Sequence, residues 1–189
     1  ATQGIAKLSN IFGVEEALGT RDAMLAVGSA VNVLSQNCTA DKKYLVEFAQ
    51  RMAGIGSVSK MTIPEILAFG ATLDANGQKC EMSASSLGKL IMKLYQEPAE
   101  MARQVGLDVE QFSETMKRST NEGVLMFMQR IKEMGSKDGL AVLAPMFKEL
   151  GVDGVRMSQV MATLADKLDM VRWEQEEANK AFNEATSAT

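Results

Sequence analysis

Histidine is missing altogether from this 189-residue chain. Ser–His–Asp and Cys–His nucleophilic sites, HExxH zinc sites and His-linked haem are excluded together. Proline is scarce, with three residues, and aromatics make up 5%. Strand formers never alternate over a useful length, so little here favours β-structure. Long apolar runs are missing too. The longest stretches, Val124 to Met128 and Leu140 to Ala144, fall far short of the ~20 residues a bilayer span needs. No N-terminal signal peptide is visible, since Gln3, Lys7, Ser9 and Asn10 interrupt the opening residues. The net charge is only −4, with 23% of residues charged, which argues against a disordered acidic tail and against a basic nucleic-acid binder.

Apolar residues make up 46% of the chain, enough to supply a core. A chain of this length buries roughly 70% of its unfolded surface and forms one domain, or two small ones. The two cysteines, Cys38 and Cys80, read as free thiols rather than a disulfide, because nothing else looks secreted. Methionine is abundant, at 14 residues. Met24, Met52, Met92, Met128, Met157 and Met161 fall at helical core spacing and read as core filler.

The periodicity predicts short amphipathic helices with readable ends. Thr20 is expected to cap a helix carrying Met24, Val27, Val31 and Leu34. The next helix starts near Thr39 or Asp41, buries Tyr44, Leu45, Phe48 and Met52, and stops at Gly54 and Gly56. Thr62-Ile63-Pro64-Glu65 is a capping box with proline in the first turn. It opens a stripe of Ile63, Ile66, Leu67, Gly70 and Leu73. Gly70 within that stripe predicts a close helix–helix contact, and Asn76-Gly77 ends the helix. Leu87, Leu90, Ile91, Leu94 and Tyr95 follow. Pro98 starts a short helix to about Val105, and Gly106 breaks it. Asp108 with Gln111, and Ser119 with Glu122, open the next two. Gly135 stops the second of these. Asp138 is expected to cap a segment kinked or broken at Pro145 and ending near Leu150. Gly151-Val152-Asp153-Gly154 is a turn that launches Met157, Val160, Met161, Leu164, Leu168 and Val171. A polar helix runs from Asp169 to about Glu184, and Thr186 to Thr189 is expected to fray.

The fold class that follows is all-α: an irregular array of eight or nine short amphipathic helices joined by Gly/Pro turns. A single rod would reach roughly 280 Å at 1.5 Å per residue. Gly54, Gly56, Gly77, Gly106, Gly135 and Gly151 interrupt it. No repeat of fixed period appears.

The candidates for chemistry are weak. Gly54 to Ser59 superficially resembles a phosphate loop but lacks the flanking strand and the Gly-Lys-Ser/Thr run; it reads as an interhelical loop. Glu15/Glu16 and Glu176/Glu177 are adjacent pairs that point apart on a helix, whereas a glycosidase needs two carboxylates facing across a cleft. Asp153, Asp166 and Asp169 lack calcium-loop spacing. Lys42, Lys43, Arg51, Lys60, Lys89 and Lys93 are scattered among acids and form no nucleic-acid stripe. Met170, Val171, Trp173 and Phe182 are the best candidates for a partner or self-association surface. Packing onto the core is the alternative.

Several blocks carry a family resemblance. They are L-G-T-R-D-A-M-L-A-V-G-S-A-V-N from Leu18 to Asn32; Y-L-V-E-F-A-Q-R-M-A-G from Tyr44 to Gly54; and S-V-S-K-M-T-I-P-E-I-L-A-F-G-A-T-L-D from Ser57 to Asp74. M-S-A-S-S-L-G-K-L-I-M-K-L follows from Met82 to Leu94, and F-K-E-L-G-V-D-G-V-R-M-S-Q-V-M-A-T-L-A from Phe147 to Ala165. In this order, over roughly 170 of the 189 residues, the chain resembles the core region of phage tail tape measure proteins, in particular those of prophages.

The resemblance implies a structural, non-enzymatic protein. Such proteins lie in the lumen of the tail tube, and their length sets tail length. They nucleate tube assembly with tail assembly chaperones and take part in DNA ejection. The resemblance therefore implies self-association and contacts with tube or chaperone proteins. It places the chain in the virion tail, and in the host cytoplasm during assembly. It carries no catalytic, cofactor or metal residues and no small-molecule substrate. The expected organisation is a lead-in over 1–19, a tape measure core over 20–168 and a polar C-terminal helix with its tail over 169–189. The chain reads as a segment excised from a longer protein. A compact domain of this length has a radius of gyration of about 16 Å, awkward in a narrow tube. Elongation at the glycine turns during assembly would resolve that. The competing readings are a helical interaction module, such as an adaptor or chaperone, and a tail-associated muramidase.

Overall fold

The computed structural model describes residues 2–187. Among them are twelve α-helices and no strand. They are α1 (Thr2–Ile11), α2 (Val14–Leu18), α3 (Thr20–Asn37), α4 (Lys42–Ser59), α5 (Ile63–Ala75), α6 (Cys80–Gln96), α7 (Pro98–Val105), α8 (Val109–Arg118), α9 (Thr120–Met134), α10 (Ser136–Glu149), α11 (Gly154–Asp166) and α12 (Leu168–Ser187). The all-α class is as expected; the count exceeds eight or nine. Two of the extra helices, α1 and α2, lie in the segment read as a lead-in. Leu8 in α1 is fully buried, and α1 packs on α3 and α4. The expected frayed tail reaches residues 188 and 189, outside the described residues; α12 itself runs on through Thr186.

The chain forms two compact units. Unit 1 holds residues 1–84 and 169–189, and unit 2 holds residues 85–168.

Unit 1 is built around α5. Its capping box forms as expected: the Glu65 amide donates to Thr62 Oγ1 at 3.3 Å, and the Thr62 amide donates to Glu65 Oε1 at 2.9 Å. The expected stripe is buried, but so are Ala68, Phe69, Ala71 and Thr72. Neighbours on more than one side, α3 and α4, explain why a helix this apolar is enclosed nearly all round. Burial of each Phe or Leu contributes about 1.5–3 kcal/mol, so α5 with Phe48 and Leu45 of α4 supplies much of this unit's stability.

Two boundaries differ from those expected. Thr20 does not cap α3: the cap position is Gly19, and the Thr20 hydroxyl donates instead to Glu15 Oε1 at 2.7 Å. Nor does α4 stop at Gly54 and Gly56. It continues through both to Ser59 and ends at Lys60, which takes a left-handed φ of 62°. Gly56 serves packing: a Cβ there would lie 2.5 Å from Phe12 Cε1 and 2.6 Å from Ile66 Cδ1. At its start, α4 is capped by Asp41 Oδ1, which accepts from the Lys43 amide. The Asp41 amide in turn donates to Asp74 Oδ2 at 2.8 Å, joining this end of α4 to the end of α5.

Unit 2 centres on α9, which packs against α7, α8, α10 and α11. Phe112 of α8 meets Phe127 of α9 with ring centroids 6.2 Å apart. The caps follow the sequence: Asp108 Oδ1 accepts from the Gln111 amide at 2.8 Å, and Ser119 Oγ from the Glu122 amide at 3.2 Å. Gly106, at φ 71°, closes α7 in a conformation that a side chain would strain. The expected break at Pro145 is absent, since α10 is one helix from Ser136 to Glu149, and Asp138 lies in its first turn rather than at its cap. Pro145 is exposed, as is Ala141, whose carbonyl lacks the proline's N–H; water can satisfy that carbonyl, so the helix survives.

Candidate functional site

Several residues singled out by the sequence sit in helix bodies, caps and ion pairs. The stretch from Gly54 to Ser59 is the last turn and a half of α4, and the Ser59 hydroxyl donates to the Ile55 carbonyl at 2.6 Å. It forms neither a phosphate loop nor an interhelical one. Glu15 holds Thr20, and Glu16 is exposed. Asp153 caps α11 through Oδ1, which accepts from the amides of Val155 at 3.0 Å and Arg156 at 3.3 Å. Asp166 and Asp169 are exposed. Among the described residues, no group of three or more acids and cysteines is placed to hold a metal ion. Arg51 pairs with Glu47 at 3.1 Å within α4. No helix among the described residues is long and apolar enough to cross a membrane.

The C-terminal candidates do not form one surface. Val171 is fully buried, Met170 is half-buried, and Trp173 is 46% exposed. Phe182 lines a groove in unit 1 with a volume of about 500 Å³. The groove's other apolar walls are Phe12 and Val14, at the turn between α1 and α2, with Leu18, Ile63 and Pro64. Lys60 is its one ionisable lining residue among the described residues. Unit 2 has a wider depression between α10 and α11, lined by Leu140, Phe147, Val152 and Val155. Val155 is 69% exposed there.

Sequence reasoning missed one chemically unusual residue. Glu174 of α12 has no exposed surface. Its Oε2 accepts from Cys38 Sγ at 3.4 Å, and its Oε1 has no hydrogen-bond partner. Burial, reinforced by Glu177, raises its pKa despite the thiol contact. Cys38 also donates to the Leu34 carbonyl at 2.8 Å, and burial with the adjacent Glu174 pushes its thiol up to about 12. Cys80 is free as well, with its Sγ 3.7 Å from the Tyr44 carbonyl; its thiol is likewise pushed up to about 12, chiefly by burial. A signal for Glu174 existed: Val171, Glu174, Gln175 and Ala178 share the i, i+3, i+4, i+7 face of a helix, and all four are buried.

Among the described residues the fold is all-α, and side chains such as Asp41, Thr62, Asp108, Ser119 and Asp153 cap its helices. Residues 1–148 match the family of phage-related minor tail proteins, and the chain belongs to that family. It is thus a structural protein of the phage tail. No curated protein and no solved structure matches it.

Proposed function

We propose that this chain is a segment of a tape measure protein, which fixes tail length, nucleates tail tube assembly and takes part in DNA ejection. The observation that carries this reading is the ordered series of helix-and-turn blocks from Leu18 to Ala165, within a chain of the minor tail family. The segment acts by packing and self-association, and with tube and chaperone proteins, rather than by catalysis. The family match over residues 1–148 supports that reading. The stretch over 20–168 is the tape measure core. It is made in the host cytoplasm and ends in the virion tail.

The hinges are the second part of the proposal. Gly13, Gly19, Gly77, Gly106, Gly135 and Gly151 all sit at positive φ next to helix ends. Such residues change conformation at little steric cost, so the helices can be re-spaced along an axis without melting. An antibody to this chain tests the assignment through the reactive band in purified tail particles. A band far above 20.5 kDa supports a segment of a long tail protein. A band of that mass found only in cytoplasm overturns it and leaves a small helical adaptor.

A further inference from the structure

The groove walls and exposed valines show no feature that selects an occupant, but the buried end of Glu174 does more. A carboxylate removed from water is strongly disfavoured unless it is paired and hydrogen-bonded. Glu174 is fully buried, one of its oxygens has no partner, and the other accepts only from a thiol, which is a weak donor. The titratable groups bearing on it are Cys38 from the end of α3 and Glu177 one turn along α12, and neither supplies a positive charge. Asp74, at the end of α5, adds negative charge next to Cys38. Arg172 and Glu176, its near neighbours on α12, are exposed. The docked geometry therefore suits a neutral carboxyl. The contacts around it are modest: Val171 and Ala178 are buried on either side, and Gln175 Nε2 donates to the Glu65 carbonyl at 3.3 Å.

We propose that α12 is a proton-controlled latch on unit 1, held while Glu174 keeps its proton and loosened when Glu174 ionises. The inference stands on this contact alone and does not depend on the tape measure reading. The sign follows from the geometry. Docking favours the protonated acid, so latch strength is fully present below the pH at which a free glutamate titrates, about 4.5. It declines as pH rises through the docked, raised value. Loosening would free the apolar face of Val171 and Ala178.

Hydrogen exchange of the full chain, followed peptide by peptide and corrected for intrinsic rates, tests this. Protection over Asp169–Glu184 should fall about ten-fold or more between about pH 5 and pH 8, while α4 stays protected. Glu174→Gln keeps the shape without the charge and should make α12 protection independent of pH. Glu177→Gln removes the like charge and should move the loss to lower pH. Should α12 protection in the unaltered chain be flat across this range, the latch is wrong. It is equally wrong if Glu174→Gln shows the same decline, or if α4 loses protection in step with α12.

Discussion

A Cβ on Gly70 would lie 2.7 Å from Cδ1 of Phe48. The two residues bring α5 and α4 together backbone to ring. Phe48 is fully buried and stacks against Tyr44 with centroids 6.4 Å apart, so its ring has no free direction in which to retreat.

Gly70→Ala should therefore destabilise the protein. Overpacking costs about 1–3 kcal/mol, and the helix propensity gained offsets up to about 1. Gly54→Ala should do the opposite. That residue is exposed in α4, and a Cβ added to it would meet nothing within 4 Å, so the propensity gain of roughly 0.5–1 kcal/mol stands alone. Urea denaturation of both variants gives the comparison. Equal effects would contradict the close approach at Gly70.

Arg130 Nε donates to the Val105 carbonyl at 2.7 Å. Val105 ends α7, where a carbonyl has no partner within the helix. Arg130→Met keeps the aliphatic stem but removes this bond, and should cost about 1–2 kcal/mol in unfolding free energy. Arg130→Lys should recover part of it. The measurement is the denaturation midpoint of the three proteins.

Both thiols should be unreactive in the folded protein. Cys38 and Cys80 are pushed up to about 12, so at neutral pH a neutral alkylating agent should modify them at least about ten-fold more slowly than in urea. The linkage to stability has a definite sign. The raised values add stability that is fully present below the unfolded value of 9.0 and is lost as pH climbs through about 12. The denaturation midpoint of the native chain should fall more steeply over that range than that of the variant with both cysteines changed to serine.

What could be read from the sequence was local. The caps at Thr62–Glu65, Asp108–Gln111 and Ser119–Glu122 join residues three apart, and all three bonds form, the first as a full reciprocal box. The Gly70 contact was also legible, because a glycine inside an apolar stripe leaves room for a neighbour. Gly54 and Gly56 misled, since glycine inside a helix and glycine ending one look alike until Phe12 and Ile66 are seen against Gly56. Helices α1 and α2 were missed because each is short and α2 buries no residue of its own. Glu174 was missed because its helix is polar overall and its thiol contact lies 136 positions away in the chain, although the buried face it shares with Val171 and Ala178 was there to be read.

Tail length tests the central claim most directly. An in-frame duplication of residues 20–168 in the parent gene adds 149 residues, which as extended helix would span roughly 220 Å at 1.5 Å per residue. Electron microscopy of the particles should show tails longer by about that amount if the segment is a tape measure that elongates. Tails of unchanged length, with the duplicated protein present in them, would contradict the account.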